Sequence, residues 1–393
     1  MSALAAMMLL QATASFLNQM LPTLAPILQV ELGWPDTLVG YLVALSTIGA
    51  IAFLVAGGPL VRGAGPIRAV QAGLGLGMLG VALLQVPVLV APLLASILIG
   101  LAYGPSTPAG SDVLMRYAPV RHRTLIFSLK QAGVPLGGAL AGLLLPLLAA
   151  AFGWRAALWG VIGILAAAVL AVQGVRGRVD AGRDRSRLRM RLVFSPANVR
   201  EPFAALAAGQ SLRRIALAGG FLAMAQGGWN AFLVTYLVRA VALSPVQAGL
   251  VFAVMQTAGA FGRIGIGWLA DRVGSGISVT RASAASAGAA TLALGLAGPD
   301  WPLPALLGLA GIAGLTVSGW NGVQLAEIAR RAPRHLVGEA SAGGTVFVFL
   351  GFVAGPSVFA MLLALTGRYD VPCFALAAMP LVAVALLTGV RRA

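Results

Sequence analysis

Apolar stretches about as long as a bilayer is thick recur along this chain, and no other feature narrows its fold as far. A helix crossing a membrane takes about 20 mostly apolar residues, and only helices and closed barrels satisfy their backbone groups there. Twelve such segments are delimited by turn and charge signals: 4–29, 37–60, 67–87, 91–117, 124–151, 154–175, 213–238, 245–270, 279–298, 302–329, 337–366 and 371–390. Trp34-Pro35-Asp36, Pro92, Gly153-Trp154, Ser244-Pro245 and Pro299-Asp300-Trp301 punctuate them with helix starts and interfacial tryptophans. The pattern predicts an all-α integral membrane protein with twelve transmembrane helices. Charged residues make up 10% of the chain against about a quarter in a soluble one, which excludes an ordinary soluble enzyme.

The formal net charge of +16 would point a soluble protein toward nucleic acid. Here it reads as topology, and no nucleic-acid partner is expected. All but one of the 27 Lys and Arg residues are arginine. With the N-terminus inside, 22 of them fall at inner loops and helix ends, while Arg155, Arg239 and Arg368 fall outside and Lys130 and Arg263 within spans. Positive charge collects in cytoplasmic loops, so both termini are expected in the cytoplasm, in a bacterial inner membrane. Gln11 interrupts the first apolar run and no positive n-region precedes it, so this run reads as an uncleaved span. The single cysteine, Cys373, cannot form an intramolecular disulfide. With only His122 and His335 beside it, no metal site and no cofactor are expected. The acidic residues are scattered and form no Mg²⁺ cluster of the kind a membrane enzyme would need.

The connection 176–212 carries Arg176, Arg178, Arg183, Arg185, Arg187, Arg189, Arg191 and Arg200. It reads as a solvated linker beside anionic lipid headgroups, dividing the chain into bundles 1–175 and 213–393. The halves echo each other. Ala118-Pro119-Val120-Arg121-His122 follows span four, and Ala332-Pro333-Arg334-His335 follows span ten. Asp112 and Arg116 precede the first, Glu327 and Arg331 the second, at the i, i+4 spacing that brings charges face to face. Repeats of this kind point to a transporter with its site between them.

Span eight closes on Gly262-Arg263-Ile264-Gly265-Ile266-Gly267-Trp268-Leu269-Ala270-Asp271-Arg272-Val273-Gly274. This resembles the G-x-L-A-D-R-x-G loop signature of the major facilitator superfamily. The resemblance implies two pseudo-symmetric six-helix bundles working by alternating access. After span two, Gly58-Pro59-Leu60-Val61-Arg62-Gly63-Ala64-Gly65 puts Arg62 at the signature's aspartate and Gly63 at its arginine, so the first copy is degenerate. The resemblance makes Asp271 and Arg272 gating candidates, together with the pairs Asp112–Arg116 and Glu327–Arg331 at inner helix ends. Arg263-x-x-x-Gly267-x-x-Ala270-Asp271 is also similar to monocarboxylate carriers, where the span-eight arginine binds the substrate carboxylate. The lysine that those carriers hold in span one has no counterpart at Leu21-Pro22-Thr23-Leu24. Gly227-Gly228-Trp229-Asn230 and Ser318-Gly319-Trp320-Asn321-Gly322 resemble carriers of the cyanate and nitrate/nitrite type.

An ionisable group at the bilayer centre costs about 2.5–3.5 kcal/mol on insertion scales. Lys130 lies roughly 10 Å and Arg263 roughly 12 Å along their helices from the inner ends, at 1.5 Å per residue. Two cations at one depth would attract an anion. Two plainer accounts compete: Lys130 snorkels to the surface, and Arg263 makes a gate contact to Asp112 or Asp271. Gln256 shares the face of Arg263 at i, i+7. Neutral polar candidates are Gln11, Ser15 and Asn18 on span one; Tyr103, Ser106 and Thr107 on span four, which Pro105 and Pro108 should kink; Gln226, Trp229 and Asn230 on span seven; and Trp320 and Asn321 on span ten. Gly133, Gly137, Gly138 and Gly142 on span five read either as close helix packing or as a bendable cavity wall.

The expected function is therefore secondary transport of a small organic anion, a carboxylate, by a monomer in contact with membrane lipid. An ion moved with or against the substrate remains open, since no carboxylate sits at mid-depth to carry a proton. The substrate-binding candidates are Lys130, Arg263, Asn18, Tyr103, Gln226, Trp229, Asn230, Gln256, Trp320 and Asn321. A proton-driven exporter of lipophilic or cationic drugs is the alternative, because Pro135-Leu136-Gly137-Gly138 partly resembles the span-five motif of such exporters.

Overall fold

The structure, a computed structural model, describes residues 2–88, 90–117, 123–184, 186 and 197–390. Their regular elements are helices throughout. In the first half these are α1 (Ala3–Leu32), α2 (Leu38–Ala56), α3 (Gly58–Ala64), α4 (Pro66–Leu83), α5 (Val90–Tyr103), α6 (Ser106–Tyr117), α7 (Arg123–Phe152), α8 (Trp154–Ala171) and α9 (Gln173–Val179). The second half contains α10 (Ala197–Ala207), α11 (Gln210–Arg239), α12 (Pro245–Val273), α13 (Gly276–Gly295), α14 (Leu303–Val317), α15 (Asn321–Arg331), α16 (Val337–Thr366) and α17 (Asp370–Thr388). Among the described residues, 11 spans are long and apolar enough to cross a membrane, with α5 and α6 forming one and α14 and α15 another. The twelfth expected span is α13. Its 20 residues reach about 30 Å, but Ser, Thr and Arg281 dilute its apolar character.

Local chemistry sets the ends. Ser244 caps α12 in a reciprocal box with Gln247, and Pro245 occupies the first turn, where its missing N–H costs nothing. α13 begins three residues before the expected start because the Ser275 side chain accepts from Ser278 N. The central connection is less open than the sequence suggests. α9, a 3₁₀ turn at Asp180–Gly182 and α10 occupy parts of it.

The chain divides into two compact units, residues 1–34 with 45–198 and residues 35–44 with 199–393. The outlying piece 35–44 joins the second unit because Gly40 brings its backbone against α11 and α16. A Cβ there would stand 2.6 Å from the Pro356 carbonyl and 2.8 Å from the Phe232 ring. In the first unit α7 runs unbroken past Pro135 and Pro146. Gly137 lets it lie directly on α1, where a Cβ would overlap the Ala12 carbonyl and approach Phe16 N to 2.8 Å. At Gly137, then, the span-five glycines serve close packing. In the second unit Gly262 brings α12 onto α14, its Cβ position 2.6 Å from the Leu315 carbonyl.

Gly137→Val should force α1 and α7 apart and cost about 1–3 kcal/mol as overpacking, lowering the melting temperature of the purified protein in detergent. Gly163→Ala, on α8 with open space around its Cβ position, should leave that temperature unchanged or raise it slightly through helix propensity.

Candidate substrate-binding site

Spans four and ten are each interrupted near their middle, and most of the polar candidates gather at these interruptions. Span four breaks at Gly104-Pro105, as its prolines predict. Pro105 has no N–H to donate, and the Ser106 hydroxyl donates to the Tyr103 carbonyl at 2.7 Å. Span ten breaks at Ser318-Gly319-Trp320 without a proline. There Trp320 Nε1 donates to the Val317 carbonyl at 2.7 Å, and Asn321 Nδ2 to the Ser318 carbonyl at 3.2 Å. A freed carbonyl in an apolar layer costs free energy until it finds a donor, and these side chains supply it.

In the first unit, Lys130 is 1% exposed. Its ammonium does not snorkel; Nζ donates to the Thr107 carbonyl, 3.2 Å away in the first turn of α6. Gly110 makes room for it, since a Cβ there would lie 2.8 Å from Nζ. Gln11 of α1, 0% exposed, reaches the same turn and donates from Nε2 to Ser106 Oγ at 3.3 Å. Ser15 donates to the Val134 carbonyl at 2.5 Å, and Asn18 Oδ1 accepts from Ser46 Oγ at 3.0 Å. Tyr103 stands at the end of α5, one residue before the break.

In the second unit, buried Gln226 accepts from Asn321 Nδ2 at 3.2 Å, joining α11 to the break in span ten. Asn230 follows one turn along α11. Gln256 is buried and Arg263 half-buried, both on α12. Trp229 and Trp320 lie in the packing core. The indole N–H of Trp229 donates to Thr291 Oγ1 at 2.9 Å, and Trp320 is 0% exposed.

The gating candidates separate by burial. Asp112 and Arg116 pair at 2.7 Å with side chains 30% and 38% exposed. Glu327 pairs with Arg330 at 2.6 Å and also with Arg331, and both Glu327 and Arg331 are buried. Asp271 and Arg272 are exposed, with the Arg272 guanidinium 5.2 Å from the centre of the Trp268 ring. His335 is exposed in a 3₁₀ turn, and His122 lies outside the described residues.

Two carboxylates missed in the sequence hold structural junctions. Asp180, 1% exposed, accepts from Ile67 N at 2.9 Å and Arg68 N at 3.1 Å, and so seats the start of the linker on the N-terminus of α4. Burial pushes its carboxyl above the usual range, while the two N–H donors and then Arg68 and Arg176 pull it back. Gly65, at φ +101°, provides the space; its Cβ position is 2.5 Å from Asp180 Cγ. Glu327 packs beside Gly276 at the start of α13, held by Arg330 and Arg331. Asp36 accepts from the Tyr369 hydroxyl at 2.7 Å and pairs with Arg239 at 3.2 Å, within the second unit. Burial and the bond to Asp36 hold the Tyr369 hydroxyl above its ordinary range, so it remains a donor.

A chain of apolar spanning helices, two of them broken at polar residues, is the architecture of a membrane carrier. Residues 7–356 match the model of the Major Facilitator Superfamily, and the chain belongs to that family. It is 29% identical over 375 residues to an uncharacterized MFS-type transporter of Mycobacterium tuberculosis, covering 93% of this chain and 80% of the relative. It is 26% identical over 274 residues to the 4-hydroxybenzoate transporter PcaK of Pseudomonas putida, covering 63% and 61% of the two chains. Among solved structures, the nucleoside transporter NupG matches with a TM-score of 0.79 at 15% identity over 100% of both chains. A bacterial homolog of the human lysosomal transporter Spinster, inward-facing, matches at 0.73 and 15% identity over 98% and 95%. At that identity the likeness is one of fold. The chain is thus a secondary transporter and not an enzyme.

Glu327→Gln leaves Arg331 buried without its counter-charge and should cost about 3 kcal/mol or more. Asp112→Asn breaks a half-exposed pair and should cost at most about 1 kcal/mol. Thermal unfolding followed by tryptophan fluorescence separates the two.

Proposed function

We propose that this transporter carries a small organic anion, a carboxylate, by alternating access. The observation that carries the reading is the ammonium of Lys130, wholly buried in a spanning helix and held at the broken turn of span four. Intramembrane cations are expensive and mark a substrate or ion path by default. The N-terminal turn of a helix half such as α6 also favours negative charge through its dipole. Arg263 is the second cation, with Gln256 seven residues earlier on its helix. Asn18, Tyr103, Gln226, Asn230 and Asn321 supply neutral hydrogen bonds, and Trp229 and Trp320 fix the helices that present them. The similarity to a 4-hydroxybenzoate transporter supports a carboxylate in particular. Asp112–Arg116, Glu327–Arg331 and Asp271–Arg272 serve as gate contacts at the inner ends. The distribution of arginines supports a bacterial inner membrane with both termini cytoplasmic.

The purified protein should be stabilised by benzoate or another small carboxylate, by about 2.7 kcal/mol at a hundred times Kd, and not by tetraphenylphosphonium. Lys130→Met and Arg263→Gln should each abolish that stabilisation while the ligand-free melting temperature stays within a few degrees. Unchanged carboxylate binding in both variants would refute the anion site, and stabilisation by the lipophilic cation alone would favour a drug exporter.

A further inference from the structure

Gln11 presents a buried acceptor whose orientation is chemically fixed. The Ser106 hydroxyl spends its proton on the Tyr103 carbonyl at 2.7 Å. Its oxygen can therefore only accept from Gln11, which must turn Nε2 toward it. The amide cannot be flipped without losing that bond, so the other end of the side chain is Oε1. This atom is buried and has no hydrogen-bond partner among the described residues, in a residue that is 0% exposed. Ser106 and Thr107, which hold Gln11 and Lys130, are consecutive in α6. From α7 the two are one turn apart as well, with the Gln11 Cγ 3.6 Å from the Cβ position of Gly133. A fixed, buried acceptor beside a cation calls for a ligand with a donor as well as a negative charge.

We propose that Gln11 is a specificity-determining residue whose Oε1 accepts a hydrogen bond from the substrate, so that the anion carried is a hydroxylated carboxylate. The proposal rests on the anion-carrier reading and adds a second recognition element to it. An acceptor left unpaired by the wrong ligand carries a desolvation penalty, and sites built to bond a hydroxyl reject analogues that lack it far more strongly than they reject a missing methylene.

The test compares acids that differ by one hydroxyl: 4-hydroxybenzoate against benzoate, and lactate against propionate, titrated calorimetrically into the full-length protein in detergent. The wild type should bind the hydroxylated member of at least one pair about tenfold or more tightly. Gln11→Leu should bring that ratio to within about twofold of one. Ser106→Ala, which removes the bond that pins the amide, should lower the ratio too and decides the matter if Gln11→Leu fails to fold. Equal affinities within both pairs would overturn the role of Gln11 and leave the carboxylate site standing. Discrimination that survives both substitutions would place the hydroxyl elsewhere and overturn it as well. If the wild type binds none of the four acids, the carboxylate reading falls and takes this inference with it.

Discussion

A peptide group inside an apolar layer has no water to bond, and that constraint governs where this protein places its polar side chains. Unbroken helices meet it by themselves. Spans four and ten do not, and each break collects donors: Ser106 on Tyr103, Lys130 on Thr107, Trp320 on Val317 and Asn321 on Ser318. The residues that look like ligands for a substrate are thus first ligands for the backbone. On the proposed reading, binding and helix breakage would draw on the same groups, and a substrate at either break would meet side chains already oriented by the backbone.

Each unit places a buried carboxylate beside the start of its third spanning helix, obtained from different places and held differently: Asp180 by backbone N–H groups, Glu327 by Arg330 and Arg331. In each, that helix begins at a glycine, Gly65 before α4 and Gly276 in α13, with the buried acid packed against it. In the second unit the acid comes from span ten, as Glu327. In the first, the span-four acid Asp112 pairs with Arg116 at the surface, and Asp180 reaches α4 from beyond span six. A helix N-terminus favours negative charge and offers unpaired N–H groups, so the position attracts a carboxylate whatever its origin in the chain.

Eleven of the twelve expected spans were legible because membrane thickness imposes a length on an apolar run, and the break in span four because proline cannot donate. The i, i+4 pairs Asp112–Arg116 and Glu327–Arg331 were legible from helical spacing alone. Their burial was not, since it depends on which neighbours cover them. The break in span ten escaped because Ser318-Gly319-Trp320 contains no proline; it lies where Gly262 lets α12 press on the span. Asp180 escaped for a different reason. Its partners lie more than a hundred residues away, and an acid amid arginines looks like part of a solvated run. At Trp229 and Trp320 the sequence could not show the burial of the rings or the partners of their N–H groups, Thr291 and the Val317 carbonyl, because both depend on neighbouring residues.

Asp180 also changes where one domain of the chain ends. The arginine-rich connection begins as part of the first unit: Asp184 N donates to the Arg62 carbonyl at 3.0 Å, and the Tyr117 hydroxyl to the Arg178 carbonyl at 3.2 Å. For separately expressed halves meant to reassemble, the cut should therefore fall no earlier than after Asp184. A cut before Gln173 would leave the N-terminal fragment with an uncapped α4 and the C-terminal fragment with a carboxylate that has nothing to cap.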